Sequence, residues 1–308
     1  MGLKMSEKTS HIDICIASYK RPQLLAKLLA SLAAQTLPEG VSVGVIVVDN
    51  DPAGTAREPV EKAFAAGLPI RYFMQPKKNI ALTRNMGVAN AVGEYIAFID
   101  DDEYAEPDWL KICYETLNKY QADVVFGPVI GVLPEGAPKW INAEIFFKGV
   151  RLPTGAELLR GATNNTLLRS SIISAQQVFF DPKYGLTGGE DTDFFQRLQR
   201  GGAKLSWCKE AAVRDIVTAD RMTAGWLIRR AFRSGQMFAE ICVKHTNWFS
   251  WVRWLVYRFC LVVLALIGGV LSWPIKRNWG VKCFQKAASN IGQVSTLFRY
   301  RYDEYGKG

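Results

Sequence analysis

The sequence predicts a doubly wound, Rossmann-like α/β fold: a mostly parallel sheet flanked by helices, followed by a basic, aromatic helical extension. Three observations predict it. Short apolar runs alternate with helical patterns through the first hundred residues. Several of those runs end abruptly in charged or hydroxyl-bearing clusters. The charge also divides sharply near residue 220: residues 1–220 hold 24 Lys and Arg against 26 Asp and Glu, and residues 221–308 hold 14 against 3.

Ile12 to Ala17 reads as a first strand ending at Ser18-Tyr19-Lys20-Arg21. Pro22 suits the first position of a helix, in which Leu24, Leu25, Leu28, Leu29 and Leu32 keep helical spacing. Val43 to Val48 is a second strand, stopped by Asp49-Asn50-Asp51-Pro52; Glu58 to Ala66 is a helix and Ile70 to Phe73 a third strand. Asn79 can cap a helix running through Arg84 towards Ala91, with Gly93 as its C-terminal stop. Tyr95 to Ile99 is a fourth, almost wholly apolar strand, as a buried parallel sheet requires. This rhythm defines the doubly wound class, whose ligands bind beyond the carboxyl ends of the strands.

At 308 residues and 49% hydrophobic, the chain can build a full core, so disorder is not expected. Its six cysteines (15, 113, 208, 242, 260, 283) form no C-x-x-C pair and no zinc spacing. They read as reduced packing residues of a cytosolic compartment. The first residues contain no long apolar run, so no secretory signal is expected. His11 and His245 are the only histidines, and both read as surface or hydrogen-bonded residues rather than ligands.

Asp100-Asp101-Asp102 directly follow the fourth strand. Three adjacent carboxylates repel unless a cation or a row of donors offsets them. Mg²⁺ and Mn²⁺ prefer oxygen ligands and commonly bridge carboxylates to substrate phosphates. The bland alternative is a solvated acidic turn. Glu190-Asp191 open a helical stretch ending at Gly201-Gly202. The helix dipole keeps a first-turn carboxylate ionised and able to act as a base, although simple N-capping is how most such acids serve.

Together these segments resemble the inverting family 2 glycosyltransferases of GT-A fold. The resemblance covers roughly residues 10–235. It rests on Ala-Ser-Tyr-Lys-Arg-Pro (17–22), Val-Val-Asp-Asn (47–50), Asn-Ile-Ala-Leu-Thr-Arg-Asn-Met-Gly (79–87), Phe-Ile-Asp-Asp-Asp (98–102) and Gly-Gly-Glu-Asp-Thr-Asp-Phe (188–194), in that order. Arg-Arg-Ala-Phe-Arg-Ser-Gly-Gln (229–236) further resembles bacterial exopolysaccharide glucosyltransferases of the succinoglycan type.

The resemblance implies a catalytic domain over 1–220, with a nucleotide-sugar half at about 10–105 and an acceptor half at about 106–220. Ala17, Tyr19, Arg21, Asp49, Arg84 and Asp101 would contact the donor, Asp49 reading the base. Asp102 would hold Mn²⁺ or Mg²⁺, and Asp191 would be the base. Asn164, Asn165 and Glu190 would face the acceptor, while Arg230 and Arg233 would clamp the diphosphate. Asn50 stands where many relatives have a second aspartate. Val213-Arg214-Asp215 stand where many carry a metal-binding histidine, which leaves Arg214 as a candidate charge substitute. Trp140 is a candidate sugar platform, with a core or lid position as the alternative.

Residues 221–308 carry the positive charge, and Trp, Phe, Leu and Val lie among the basic residues. That pattern suits an anionic membrane surface better than nucleic acid. Phe259 to Ile275 is uncharged, but 17 helical residues span only about 25 Å, and cations flank both sides. This favours a re-entrant or in-plane segment on the cytoplasmic face of a bacterial inner membrane, with 248–298 as the contact region, over a simple span. A buried bundle helix is the alternative.

The expected activity is β-linkage formation by transfer from a nucleotide-diphosphate sugar, UDP favoured, to a polyprenyl-diphosphate-linked saccharide. A sugar-nucleotide nucleotidyltransferase would want a glycine-rich loop after the first strand, and Ala17 to Pro22 contains none. A non-catalytic, membrane-bound saccharide-binding protein is the third reading.

Overall fold

The computed structural model describes residues 10–174, 179–243, 248–298, 300 and 302. In chain order the elements are β1 (Ser10–Ser18), α1 (Pro22–Ala33), β2 (Val41–Asp49), α2 (Arg57–Ala65), β3 (Ile70–Met74), α3 (Ile80–Asn90), β4 (Tyr95–Phe98), β5 (Glu103–Ala105), α4 (Trp109–Lys119), β6 (Val124–Phe126) and β7 (Val129–Val132). They continue with α5 (Ala143–Phe146), β8 (Thr166–Arg169), α6 (Ser171–Ser174), α7 (Glu190–Arg200), β9 (Leu205–Trp207), β10 (Val213–Ile216), α8 (Ala224–Cys242), α9 (Trp248–Ser272) and α10 (Arg277–Ser295). His245 lies outside the described residues.

Two compact units form. The first comprises residues 1–130 and 149–215, the second residues 131–148 and 216–308. The first is built on a seven-stranded sheet of order β3-β2-β1-β4-β8-β6-β9. β1, β2, β3 and β4 are mutually parallel, and β6 is parallel to β9; β8 runs antiparallel to both of its neighbours. Ser18 pairs with Asp49 in register, so the polar ends of β1 and β2 lie side by side. The apolar strands behave as a sheet covered on both faces should: Ile12, Ile14, Ile16, Val45, Val47 and Ala97 enter one core cluster, and Cys15, Ile46, Val48, Ile96 and Phe98 the other.

One acid is buried within β1. Asp13 is fully covered and accepts from Arg71 (3.0 Å) and from the backbone amides of Val92 (2.7 Å) and Gly93 (2.8 Å). It thereby ties the turn after α3 to the sheet. Gly93 is therefore not the helix stop that its position suggested. α3 ends at Asn90, and a Cβ on Gly93 would lie 2.6 Å from the His11 carbonyl oxygen. The residue is small because two backbones meet there. Asn79 does cap α3, accepting from Leu82 N at 3.0 Å.

The second unit has its own core, with Ile141, Phe147, Val217, Met222, Leu227 and Val281 at the centre. Trp140 packs against this cluster, its ring 5.8 Å from Phe146 with the Arg277 guanidinium 4.7 Å above it. That is the core alternative, not a free sugar platform. α8 and α10 approach closely because Gly235 and Gly292 leave room for the Ser289 and Phe232 carbonyls. α9 and α10 are antiparallel: Arg258 donates to Asn290 at 3.0 Å, while Gly268 faces Cys283 and Trp273 faces Gly280. α9 begins upstream of the uncharged run and ends at Ser272, so Trp273 to Ile275 belong to the turn. It is long and apolar enough to cross a membrane, and most of it is uncovered by the described chain.

The Gly93→Ala substitution is expected to cost about 1–3 kcal/mol, because backbone must move to admit the methyl group. Chemical denaturation checks this; unchanged stability would show that the turn is not held as described.

Candidate active site

Beyond the carboxyl ends of β1 and β4, the loop 18–21 and the acid run 100–102 are bound to each other. Asp101 is 4% exposed and accepts from Ser18 Oγ (3.0 Å), Tyr19 N (3.2 Å) and Arg21 Nη1 (2.9 Å). Burial nevertheless holds its pKa above the ordinary aspartate value, with Arg21 acting against the shift. Arg21 Nη1 also lies 3.0 Å from Asp102 Oδ2. Lys20 has a left-handed backbone, φ 56°, which turns this loop sharply. Lys20 and Lys78 lie 5.2 and 5.1 Å from the Tyr19 ring centroid, so cationic charge flanks that side chain.

The acid run splits by task. Burial first, and then Asp100, Asp101 and Asp215, push Asp102 up to about 6, against the pull of Arg21. Asp100 is ion-paired with Arg84 Nη2 at 3.2 Å, and its amide donates to the buried Glu103 (3.0 Å). Asp215 pairs in register with Glu103 across β5 and β10 and adds to the charge felt by Asp102 and Glu103. Arg214, the neighbouring residue on β10, is engaged by Glu106 instead. Alternation along the strand places the two on opposite faces. The acid, not the arginine, thus stands on the side of the acid run.

Two successive left-handed glycines, Gly188 (φ 78°) and Gly189 (φ 103°), aim the start of α7. Glu190 is its first residue, 3% exposed, with an ion pair to Arg84 Nη1 and no described partner for Oε2. Burial pushes Glu190 up to about 7, helped by Asp191 and Asp100 and opposed by Arg84. Asp191 is half-buried and accepts from the Thr192 amide at 2.6 Å. Arg84, only 11% exposed at its side chain, therefore joins the acid run after β4 to the acidic start of α7.

The β2 end holds a second acidic group. Asp49 is fully buried and accepts from Asp51 N (2.9 Å), Ala56 N (2.8 Å) and Tyr72 Oη (3.0 Å). Asn50 joins β2 to α3, donating to the Gln75 and Lys77 carbonyls and accepting from Asn79 N. Asp51, which the sequence reading passed over, is 3% exposed and its Oδ2 has no described partner. Ala17 is half-buried between two buried neighbours of β1.

Asn165 departs from the sequence expectation of an acceptor contact. It is fully buried with φ 84°; its Oδ1 accepts from Trp109 Nε1 (2.7 Å), and its Nδ2 donates to the Pro128 (3.0 Å) and Ala211 (2.7 Å) carbonyls. Its side chain holds three segments together and has nothing left for a sugar. Asn164 beside it is half-buried. His11 is the hydrogen-bonded residue expected of it, with Nδ1 2.8 Å from Ser42 Oγ. Arg230 and Arg233 lie one turn apart on α8 of the second unit, Arg230 over the Trp226 ring at 5.1 Å.

Among the described residues, no three acids, histidines or cysteines come together as a metal site. Asp102 and Asp215, which feel each other's charge, are oxygen donors of the type that suits a hard divalent cation whose shell is completed by water and phosphate oxygens.

A mostly parallel sheet with acids and cations gathered beyond its strand ends, and an acidic helix start tied in by arginine, has the architecture of the GT-A class. The sequence model of "Glycosyl transferase family 2" matches residues 13–175, more than half of the chain, and the protein belongs to that family. It is 38% identical over 245 residues to the succinoglycan biosynthesis protein ExoM of Rhizobium meliloti, covering 79% of each chain. Among solved structures it is similar to Staphylococcus aureus TarS 1-349 in complex with UDP-GlcNAc (TM-score 0.56, 18% identity, 97% of each chain). It spans 55% of a longer TarS chain. A mannosyltransferase of Pyrobaculum calidifontis in complex with GDP-Man and Mn²⁺ gives a TM-score of 0.63 at 15% identity, covering 92% of this chain and 86% of that one.

Glu190 and Asp102 bind protons more tightly folded than unfolded, since burial raises both. The folded state then gains stability as pH falls from about 7 towards the ordinary glutamate value of 4.5. The thermal midpoint of the metal-free protein is expected to be higher at pH 5.5 than at pH 7.5, and Glu190→Gln to reduce the difference. A midpoint that falls on acidification over this range would contradict the burial argument.

Proposed function

We propose that the protein transfers a sugar, with inversion, from a nucleotide-diphosphate donor (UDP favoured) to a lipid-linked saccharide during bacterial exopolysaccharide assembly. The single observation that carries this reading is the Arg84 bridge. It sets the acid run suited to a donor diphosphate beside a helix start suited to an acceptor hydroxyl. The kinship with a succinoglycan biosynthesis protein supports the pathway class.

In this reading Tyr19, Arg21 and Lys78 approach the donor, and Asp101 positions their loop. Ala17 leaves room for the base beside the β2 end. Asp51 offers the base an unpartnered acceptor oxygen, and Asp49 holds the turn that presents it. Asp102 and Asp215 would hold Mn²⁺ or Mg²⁺, which supplies Lewis-acid stabilisation of the leaving diphosphate. Asp191 accepts the proton of the acceptor hydroxyl as that oxygen attacks the anomeric carbon from the face opposite the diphosphate. Glu190, whose Oε2 has no described partner, hydrogen-bonds the acceptor, and Asn164 is proposed as a further acceptor contact. Arg230 and Arg233 are proposed as the donor clamp. Residues 1–220 would then be catalytic and 221–308 would attach to the membrane.

The antiparallel α9–α10 pair supports in-plane attachment at the cytoplasmic face. A spanning α9 would carry Lys282 and Lys286 of α10 into the hydrocarbon, where each charge costs several kcal/mol.

A panel of nucleotide sugars with Mn²⁺ or Mg²⁺ tests the assignment. Asp191→Asn is expected to lower transfer roughly 10²–10⁴-fold with donor affinity little changed. Asp102→Ala is expected to remove the metal-dependent part of donor binding. Undiminished turnover in Asp191→Asn would exclude it as the base, and no binding of any nucleotide sugar would overturn the reading.

A further inference from the structure

A cleft of about 600 Å³ opens between α8, α9 and α10, wholly inside the second unit. Its cations are Arg258, Lys282 and Lys286, and no carboxylate lines it among the described residues. Arg258 is held in place: Nη1 donates to the 4%-exposed Asn290, the guanidinium stands over the Trp254 and Tyr257 rings, and its buried Nε has no described partner. Burial holds Lys282 below the ordinary lysine pKa, although its Nζ still reaches the Ile145 carbonyl at 3.0 Å. Three cations gathered without a counter-charge call for an anion.

Two further atoms narrow which anion. Gln285 donates to the Leu227 carbonyl through Nε2, which fixes its Oε1 as an acceptor, and that oxygen is buried without a described partner. Gln293, 6% exposed, likewise has an unpartnered Oε1. A phosphodiester group has no P–OH of its own to offer such oxygens. A phosphate ester bearing hydroxyls offers both the charge for the cations and the donors for the amides.

The place of the cleft names the carrier. Arg258 is the last charge before the uncharged run 259–275, and Phe259, Leu264, Ile267 and Leu271 beyond it are exposed. The cleft thus lies at the last charged residue before the uncharged part of α9. We propose that it binds the headgroup of an anionic phospholipid that carries free hydroxyls, of the phosphatidylglycerol type. The inference rests on the membrane reading of α9 and adds to it a stereochemically specific site.

The test is co-flotation of the full-length protein with vesicles. Those are neutral phosphatidylcholine alone, or phosphatidylcholine with phosphatidylglycerol or with phosphatidylmethanol, an anionic phosphodiester without hydroxyls, at matched surface charge. Binding to the phosphatidylglycerol vesicles is expected to exceed that to the phosphatidylmethanol vesicles roughly tenfold, the worth of one or two hydrogen bonds between neutral groups. Lys286→Gln, at an exposed position, and Gln293→Leu are each expected to reduce the preference while leaving attachment to neutral vesicles intact. Equal binding to both anionic vesicles, or an unaltered preference in both variants, would overturn the site and leave the membrane reading standing. Loss of the preference to millimolar inorganic phosphate would also overturn it, since a free anion would then suffice. Absence of binding to every vesicle would overturn the membrane reading together with the site.

Discussion

The first unit is organised around one side chain, Arg84. It ion-pairs with Asp100 at the end of the β4 segment and with Glu190 at the start of α7, residues separated by ninety positions in sequence. A buried carboxylate without such a partner would be destabilising by several kcal/mol, and removing the cation leaves Glu190 in that state, while the more exposed Asp100 keeps water as a partner. The bridge therefore does more than hold two elements. It keeps Glu190 from rising further than about 7, and it sets the acid run and α7 at one mouth of the sheet. The loop 18–21 is fixed to the same run through Asp101. These two tethers explain how a short parallel sheet with open strand ends can hold several like charges close together.

Much of this was legible in the sequence because parallel strands are apolar throughout and stop abruptly. Val-Val-Asp, Phe-Ile-Asp-Asp-Asp and the Gly-Gly-Glu-Asp junction each announce a strand end or a helix start, and the glycine pair proves to be left-handed as the sharp turn demands. The insertion of antiparallel β8 between β4 and β6 left no comparable mark, since four residues on two buried faces read alike in either direction. Side-chain commitments were the least legible. Asn165 sits in a segment that resembles an acceptor loop, yet its amide is consumed by three partners distant in sequence. Asp215 is not distinguishable from Arg214 in the sequence, because only the pairing of β10 with β5 puts it near the acid run. Asp51 is marked only by the D-N-D spacing at the end of β2.

The second unit shows why composition alone could not describe the C-terminal region. Its positive charge and tryptophans suggested a membrane surface, but several of the aromatics serve internally. Trp226 stands beneath Arg230, and Trp273 lies beside Phe284 between α9 and α10. Others face outward with the aliphatic flank of α9, among them Trp248, Phe249, Phe259 and Trp279. The antiparallel return of α10 sets the limit on how deeply that flank can be buried, because its lysines travel with it.

The central claim is a single displacement with Asp191 as base, and the configuration of the product tests it most directly. Magnetic resonance of the first product formed from an α-linked UDP-sugar, before any equilibration, reports the new linkage. The account predicts a β-glycoside from every α-linked donor accepted. An α-glycoside would contradict it, since retention requires a different arrangement of groups around the anomeric carbon.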